Sequence, residues 1–387
     1  MDKPKIAFVV QRNGKEVTGG AEAYCFQIAK LMKDDWDIEI ITTCALDYMT
    51  WDNYYDEGLE IVDGVSIRRF KVDIPRNVEK FNQYSNKILP NAKKASLEDS
   101  KKWMNLQGPV SNSLLNYVKE NKDYYEKFIF FTYLYATTYL ALPLVEEKAY
   151  LASFAHDEVP IYLPIWDEWF KKPRKIIFST IEEKDFLDKR FPNISFIGDT
   201  IGIGVDIPKD ISNIIFRQKY DIYAPYILYV GRIDESKGCK ELFDYFLKLK
   251  EEHNIQLKLV LAGKSVIDIP KHKDIIHLGF IDEQTKFDAI DGCEFLINSS
   301  PFESLSMVLL EAWSLNKPVL VTAKAEVMVG QCQRSKGGLW YKDYEEFKNN
   351  TFYLLEKSYE FKNMNKFVDD NYSWEVIRDK YKRITND

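Results

Sequence analysis

The chain has 387 residues, 45% of them hydrophobic and 29% charged. That balance gives room for two apolar cores and excludes an extended disordered chain. A formal net charge of −7 argues against a general nucleic-acid binder. The five cysteines, Cys25, Cys44, Cys239, Cys293 and Cys332, are scattered and form no CxxC pair. This disfavours both a zinc site and a disulfide framework and fits reduced cytosolic thiols.

Along the chain, the apolar run Ile6–Val10 is too short for a signal peptide and predicts a first strand. A helix-like stretch, AEAYCFQIAKLM, follows, with Tyr24, Ile28, Leu31 and Met32 on one stripe. IEIITT is the next strand. FIFFTY (128–133), YLASF (150–154), KIIFST (175–180) and ISFIG (194–198) read as later strands. Between them, 72–112 is rich in Lys, Asn and Ser and reads as an insertion of short helices and loops. YLPIWDEWFKKPRK carries Tyr162, Trp166, Trp169 and Phe170 on one helical stripe before a run of cations. That stripe has two readings, a membrane-grazing face and a helix packed on the sheet, and the second is favoured. No stretch approaches the roughly 20 apolar residues of a membrane span, and the expected location is cytoplasmic.

The strand–helix alternation restarts after IGIGVDIPKD (201–210). YILYVG (226–231), LKLVLAG (257–263), DIIHLG (274–279), EFLINS (294–299) and PVLVTA (318–323) are strands, with helices such as CKELFDYFLKLKEEH between them. Continuous apolar strands alternating with helices imply parallel sheets covered on both faces. Ligands of such halves bind at the carboxyl ends of strands, and the crevice between the halves is the expected place. DNYSWEVIRDKYKRI at the end reads as one amphipathic helix.

Several stretches carry chemistry. Gly19-Gly20 follows the first strand and opens a helix, where backbone N–H groups face outward; read alone, it is a tight turn. In YVGRIDESKGCKEL, Arg232 and Lys237 follow a strand that ends at Gly231. Two cations beside a helix N-terminus suit a diphosphate, and equally suit ion pairs with Asp234 or Glu235. FESLSMVLLEAW places Glu303 and Glu311 in an apolar segment with no cation between them. A buried lone carboxylate is costly, so each needs a partner. Sugar hydroxyls would serve; the competing reading is a helix cap at Glu303 and a pair with a distant Arg at Glu311. On one helix starting near Ser304 the eight-residue offset is about 12 Å of rise and ~80° of rotation. His156 sits just past a strand, able to reach a sugar hydroxyl, or else is satisfied by Asp157. The DxD of Asp35-Trp36-Asp37 falls between the first helix and second strand and reads as a solvated turn, not a metal site.

In this order the motifs resemble the retaining GT-B glycosyltransferases of family GT4, of the bacterial surface-polysaccharide type. GRIDESKG resembles the family's Gly-Arg…Lys-Gly motif, and FESLSMVLLEAW its Glu-x7-Glu motif, followed by NKPVLVT. GGAE resembles the first glycine loop, and IGIGVD the approach to the linker. QCQRSKGGLWY resembles a segment of one bacterial branch, and SWEVIRDKY the family's helix that crosses back to the N-terminal half. The implied fold is α/β, two Rossmann-like parallel-sheet domains facing each other across a cleft. Its implied divisions are 1–207, 208–368 and a helix, 369–387, crossing back to the first domain.

The resemblance also implies roles. Gly19 and Gly20 would line the donor phosphate and acceptor side. Gly231, Arg232 and Lys237 would hold the diphosphate, capped by the amides of Leu305, Ser306 and Met307. Glu303 would meet the transferred sugar, Glu311 the ribose, Ile281 and Lys286 the nucleobase, and His156 the sugar's C6 end. The donor would be a UDP-, GDP- or dTDP-sugar and the acceptor a glycan or lipid-linked molecule, with peripheral membrane contact a further partner and nucleic acid none. Cationic neutralisation of the leaving group implies no metal and no cofactor. Where the family often has Glu-Gly-Phe-Gly, this chain has Glu-Ser-Leu-Ser at 303–306, which narrows the backbone at the phosphate site. The rival readings are a nucleotide-sugar 2-epimerase of the same architecture and a non-catalytic sugar-nucleotide-binding subunit.

Overall fold

The computed structural model describes residues 3–17 and 19–385. The chain divides into two compact units, one of residues 1–201 with 378–387, the other of 202–377.

The first unit is built on β1 (Lys5–Arg12), α1 (Gly20–Met32), β2 (Asp37–Thr43), β3 (Gly58–Val62) and β4 (Val65–Phe70). It continues through α2 (Val78–Ile88), α3 (Leu97–Gln107), α4 (Asn112–Glu120), β5 (Lys127–Phe131), α5 (Ala136–Ala141) and β6 (Ala149–Ala152). α6 (Trp166–Trp169), β7 (Lys175–Phe178), α7 (Ile181–Arg190) and β8 (Gly198–Thr200) complete it. The strand order is β3-β4-β2-β1-β5-β6-β7-β8. All neighbours pair parallel except β3 and β4. Ile6–Val10 is buried throughout, as a strand covered on both faces requires.

The β3–β4 hairpin has no counterpart in the sequence reading. Its strands lack a two-sided apolar run, since Leu59 and Ile61 face solvent at the sheet edge. The available signal was Asp63-Gly64, both at positive φ, the residue pair a two-residue hairpin turn favours. The segment 72–112 contains α2 and α3, joined by the Trp103 indole donating to Ser85 Oγ at 2.9 Å. The strand expected at 194–198 forms later, at Gly198–Thr200, because Phe191, Ile194 and Phe196 turn into the core beside β7. The aromatic stripe does not form one helix. Val159–Tyr162 is a 3₁₀ turn and Trp166–Trp169 a single helical turn, and Trp166, Trp169 and Phe170 are buried in the core. No helix of the described residues is long and apolar enough to cross a membrane.

The second unit holds α8 (Asn213–Tyr220), β9 (Tyr226–Val230), α9 (Cys239–Glu252), β10 (Lys258–Ala262), β11 (Ile275–Gly279), α10 (Glu283–Gly292) and β12 (Phe295–Asn298). α11 (Met307–Ser314), β13 (Val319–Thr322), α12 (Glu326–Ser335), β14 (Gly338–Tyr341), α13 (Tyr344–Lys357) and α14 (Met364–Tyr372) follow. The order is β11-β10-β9-β12-β13-β14, all parallel.

The terminal segment is two helices, not one. α14 ends at Tyr372, Ser373 is extended, and α15 runs Trp374–Thr385. The part of α15 from Arg378 onward belongs to the first unit. Asp35 receives Arg378 at 2.5 Å and Lys382 at 2.7 Å, and the Tyr381 hydroxyl lies 2.9 Å from that of Tyr24. Asp35 is therefore an anchor for this helix rather than part of a solvated turn. Arg378 bonding holds its carboxyl below the usual range. All five cysteines are free and buried.

Candidate functional site

In the second unit the chain leaves β9 for β10 on one side, while β12 pairs on its other side. This is the sheet's switch point, where the two loops at the strands' carboxyl ends diverge and leave a crevice. The loop after β9 contains Gly231, Arg232 and Lys237; the loop after β12 contains Glu303 and leads to Leu305, Ser306 and Met307.

These two loops are locked together. Gly238 has φ +70, and a Cβ there would lie 2.2 Å from the Ser299 carbonyl oxygen, so only glycine fits. The Ser299 hydroxyl donates to the Lys237 carbonyl at 2.9 Å. Asp234 organises the first loop. Its carboxylate accepts from Arg232 Nε, from Ser236 Oγ at 2.6 Å and from the Lys237 N–H at 2.9 Å. Burial works to raise the Asp234 carboxyl, but these donors outweigh it and its pKa falls. Arg232 therefore takes the ion pair with Asp234 that its sequence neighbours offered.

Lys237 Nζ reaches across to Glu303 Oε1 at 2.9 Å. Glu303 thus has a cation, supplied by a loop 66 residues earlier. Glu311, on α11, is likewise paired: Lys286 Nζ lies 2.8 Å from its Oε1 and 2.5 Å from Glu283 Oε1. Neither carboxylate has a cation inside the motif, but each takes one from elsewhere in the chain, and the distant partner of Glu311 is a lysine, not the expected arginine. Parallel strands bring loops together regardless of sequence distance, which local inspection cannot detect. Burial pushes the Glu311 carboxyl up against the pull of Lys286. For Lys286 burial acts downward, and the two carboxylates more than offset it, so its pKa rises.

α11 starts at Met307, three residues later than expected. Ser306 is its N-cap at φ 60, and Asn298 explains why. The Asn298 amide donates to Ser306 Oγ at 2.9 Å and its Oδ1 accepts the Ser300 N–H at 2.9 Å, holding 299–306 as a loop. Leu305 and Ser306 therefore precede the helix and Met307 opens it, so Glu303 and Glu311 do not share one helical ladder. Ile281 lies between β11 and α10, half-buried, one residue before the Asp282 cap. Lys286 is on α10.

In the first unit Gly19 and Gly20 follow β1. A Cβ on Gly19 would lie 2.3 Å from Glu22 Oε2, whereas one on Gly20 would meet nothing within 4 Å. Beside them is a pair the sequence reading missed: Arg12 Nε to Glu22 Oε1 at 2.6 Å, both side chains 7% exposed. The signal was a charged QRNG directly after an apolar strand. His156 follows β6, two strands from β1, or about 10 Å across the sheet. Its Nδ1 is 3.2 Å from the Phe154 carbonyl and its Nε2 3.8 Å from Glu158 Oε2. Glu158 takes the place expected for Asp157, which instead accepts from the Tyr162 hydroxyl at 2.7 Å. Glu158 is itself held by the Tyr133 hydroxyl at 2.7 Å.

The profile of the family described as "Glycosyl transferases group 1" matches residues 212–374. That span is less than half of the chain and lies within the second unit. The matched span contains both acidic residues of FESLSMVLLEAW, the loop after β9 and Lys286. An uncharacterized glycosyltransferase, MJ1607 of Methanocaldococcus jannaschii, is 28% identical over 169 residues, 39% of this chain. The match spans 42% of that protein's length. Among solved structures, sucrose-phosphate synthase from Thermosynechococcus elongatus aligns with TM-score 0.68 at 14% identity, over 99% of this chain and 98% of that one. Anabaena Alr3699/HepE in complex with UDP and glucose aligns with TM-score 0.66 at 13% identity, over 98% of each chain. WaaG, a glycosyltransferase involved in lipopolysaccharide biosynthesis, aligns with TM-score 0.64 at 13% identity, over 99% and 100%. The fold is that of GT-B glycosyltransferases.

Proposed function

We propose that this chain is a retaining glycosyltransferase that moves a sugar from a nucleotide-diphosphate sugar to a glycan or lipid-linked acceptor. The observation that carries the reading is the joining of two loops at the switch point of the group 1 domain. There Lys237 pairs with Glu303 and Arg232 with Asp234, while Glu311 on α11 pairs with Lys286 on α10. The solved relatives with UDP or UDP-glucose bound support a nucleotide-sugar donor.

The chemistry follows from charge. Cleaving the sugar–phosphate bond leaves negative charge on the diphosphate and positive character on the sugar ring. Lys237 and Arg232 stabilise the leaving group, together with the N-terminus of α11, whose first N–H groups have no partner inside the helix. A diphosphate competes with Glu303 for Lys237 and with Asp234 for Arg232. As Lys237 turns to phosphate, Glu303 is released to accept from sugar hydroxyls. Glu311 holds the ribose diol. Attack from the face of the departing phosphate, which takes the acceptor's proton, retains the anomeric configuration.

The test is incubation of the purified chain with UDP-, GDP- and dTDP-sugars, with and without glycan and lipid-linked acceptors, following free nucleoside diphosphate and the product's anomeric configuration. Acceptor-dependent release with a retained product is expected. Epimerised sugar without transfer, or binding without turnover, refutes the reading.

A further inference from the structure

Glu183, on α7, is a carboxylate with no exposed surface. Its Oε1 accepts from Ser153 Oγ at 2.5 Å and from the Ala155 N–H at 2.7 Å; its Oε2 accepts from the Ser179 N–H at 2.6 Å. Ser153 and Ala155 leave β6, and Ser179 leaves β7. One buried side chain therefore ties the carboxyl ends of two neighbouring strands. Burial pushes its carboxyl up, and the Ser153 hydroxyl, the Ser179 and Ala155 amides and the Ser179 hydroxyl pull it back.

Two features of the clamped segment give this a purpose beyond stability. Phe154 stands between the two anchored residues at φ 51, a left-handed conformation that costs a non-glycine residue about 1–2 kcal/mol and persists only where its surroundings enforce it. Its carbonyl is the partner of His156 Nδ1 at 3.2 Å. The carboxylate holds Ala155, Phe154 presents its carbonyl in consequence, and that carbonyl orients the imidazole. We infer that Glu183 is a positioning residue: it fixes the strained turn after β6 and thereby sets the tautomer and direction of His156. The part concerning the imidazole's use rests on the proposed glycosyl transfer; the part concerning the turn does not.

The residue type follows from donor counting. Four donors converge on the side chain, the hydroxyls of Ser153 and Ser179 and the backbone N–H groups of Ala155 and Ser179. A carboxylate only accepts, whereas a glutamine of the same shape turns an NH₂ toward one of them. Glu183→Gln therefore leaves one buried backbone N–H facing a donor with little change in volume. Ser153→Ala removes one hydroxyl donor and keeps both backbone bonds.

The experiment uses the full chain with ¹⁵N-labelled histidine, of which there are only four, so that His156 is assigned by the loss of its signal in His156→Ala. In the wild type, the His156 ring nitrogens should report a single tautomer with the proton on Nδ1. The Ala155 and Ser179 amides should exchange as slowly as those of β6. In Glu183→Gln the imidazole signals should shift toward a tautomer average, and kcat should fall about 10²-fold with donor KM changed by less than about threefold. Ser153→Ala should match the wild type in both readouts. Unchanged imidazole signals and unchanged kcat in a folded Glu183→Gln overturn the inference. So does rapid exchange of the Ala155 amide in the wild type, which needs no variant to fold. If the wild type transfers no sugar, the functional reading fails while the tautomer and exchange measurements still decide the clamp. If it transfers and Glu183→Gln transfers equally, the clamp fails alone.

Discussion

Replacing Lys286 with methionine isolates the electrostatics of the buried pair in the second unit. Lys286 is 14% exposed and Glu311 8%. The substitution keeps most of the aliphatic stem and removes the charge, leaving Glu311 without its cation and with Glu283 still nearby. Breaking a buried pair costs about 3–5 kcal/mol when the remaining charge cannot escape. Here it can escape by taking a proton. Protonating a carboxyl of ordinary pKa 4.5 at pH 7 costs about 3.4 kcal/mol, from about 1.36 kcal/mol per unit, and this caps the loss. The wild type already bears part of the burial cost, because Glu311 is raised even when paired. The expected loss is therefore about 2–3 kcal/mol at pH 7. Its sign with pH is fixed. A carboxyl whose folded pKa lies above its unfolded value favours folding below the unfolded value, and that contribution is lost as pH rises through the folded value. Without Lys286 the folded value rises further. The gap between variant and wild type should thus be widest near pH 7 and should narrow as pH falls toward 4.5. Calorimetric unfolding across that range, with Lys286→Arg as the charge-preserving control, measures it. A gap independent of pH, or below about 1 kcal/mol at pH 7, refutes the argument, because surface pairs are worth that little.

The remaining predictions concern the loops and the terminal helix. Gly238→Ala places a methyl 2.2 Å from the Ser299 carbonyl and should abolish UDP binding by calorimetry in a chain that still folds its first unit; retained affinity would separate the two loops' packing from binding. Lys237→Ala should weaken UDP about 10–100-fold, the worth of one charge-assisted contact, while uridine, which lacks the diphosphate, binds unchanged; equal losses for both would place Lys237 elsewhere. Tyr24→Phe strips the Tyr381 hydroxyl of its buried partner and should cost about 1–3 kcal/mol in thermal unfolding. Asp35 has a folded pKa below its ordinary 3.8, so its contribution to stability is present above that value and lost as pH falls through the folded one. Asp35→Asn should lower the melting temperature at pH 7 and converge with the wild type in strong acid.

How much of the site was legible depended on the distance over which its parts speak. Arg232, Lys237, Glu303 and Glu311 stood out because a charge in an apolar or loop context is visible within a dozen residues. Their pairings were not visible. Lys237 meets Glu303 across 66 residues, and Lys286 meets Glu311 across 25. The start of α11 was misplaced because Asn298, outside the motif, captures Ser306 and delays the helix. Arg12, Glu22 and Glu183 went unnoticed because each reads as an ordinary charge until burial reveals it.

The sequence alone determined the alternation of strands and helices and its restart after residue 210, since a strand covered on both faces must be apolar at every position, whatever lies beside it. It also determined that acidic and basic residues cluster just after strands. Only the tertiary structure decided the strand order, and with it which loops adjoin. Register and crossover between parallel strands are set by packing over the whole sheet, a long-range quantity with no local periodicity to announce it. The same holds for the terminal segment, whose amphipathic pattern continues through Ser373 while Asp35 and Tyr24, more than 340 residues earlier, determine where α15 packs.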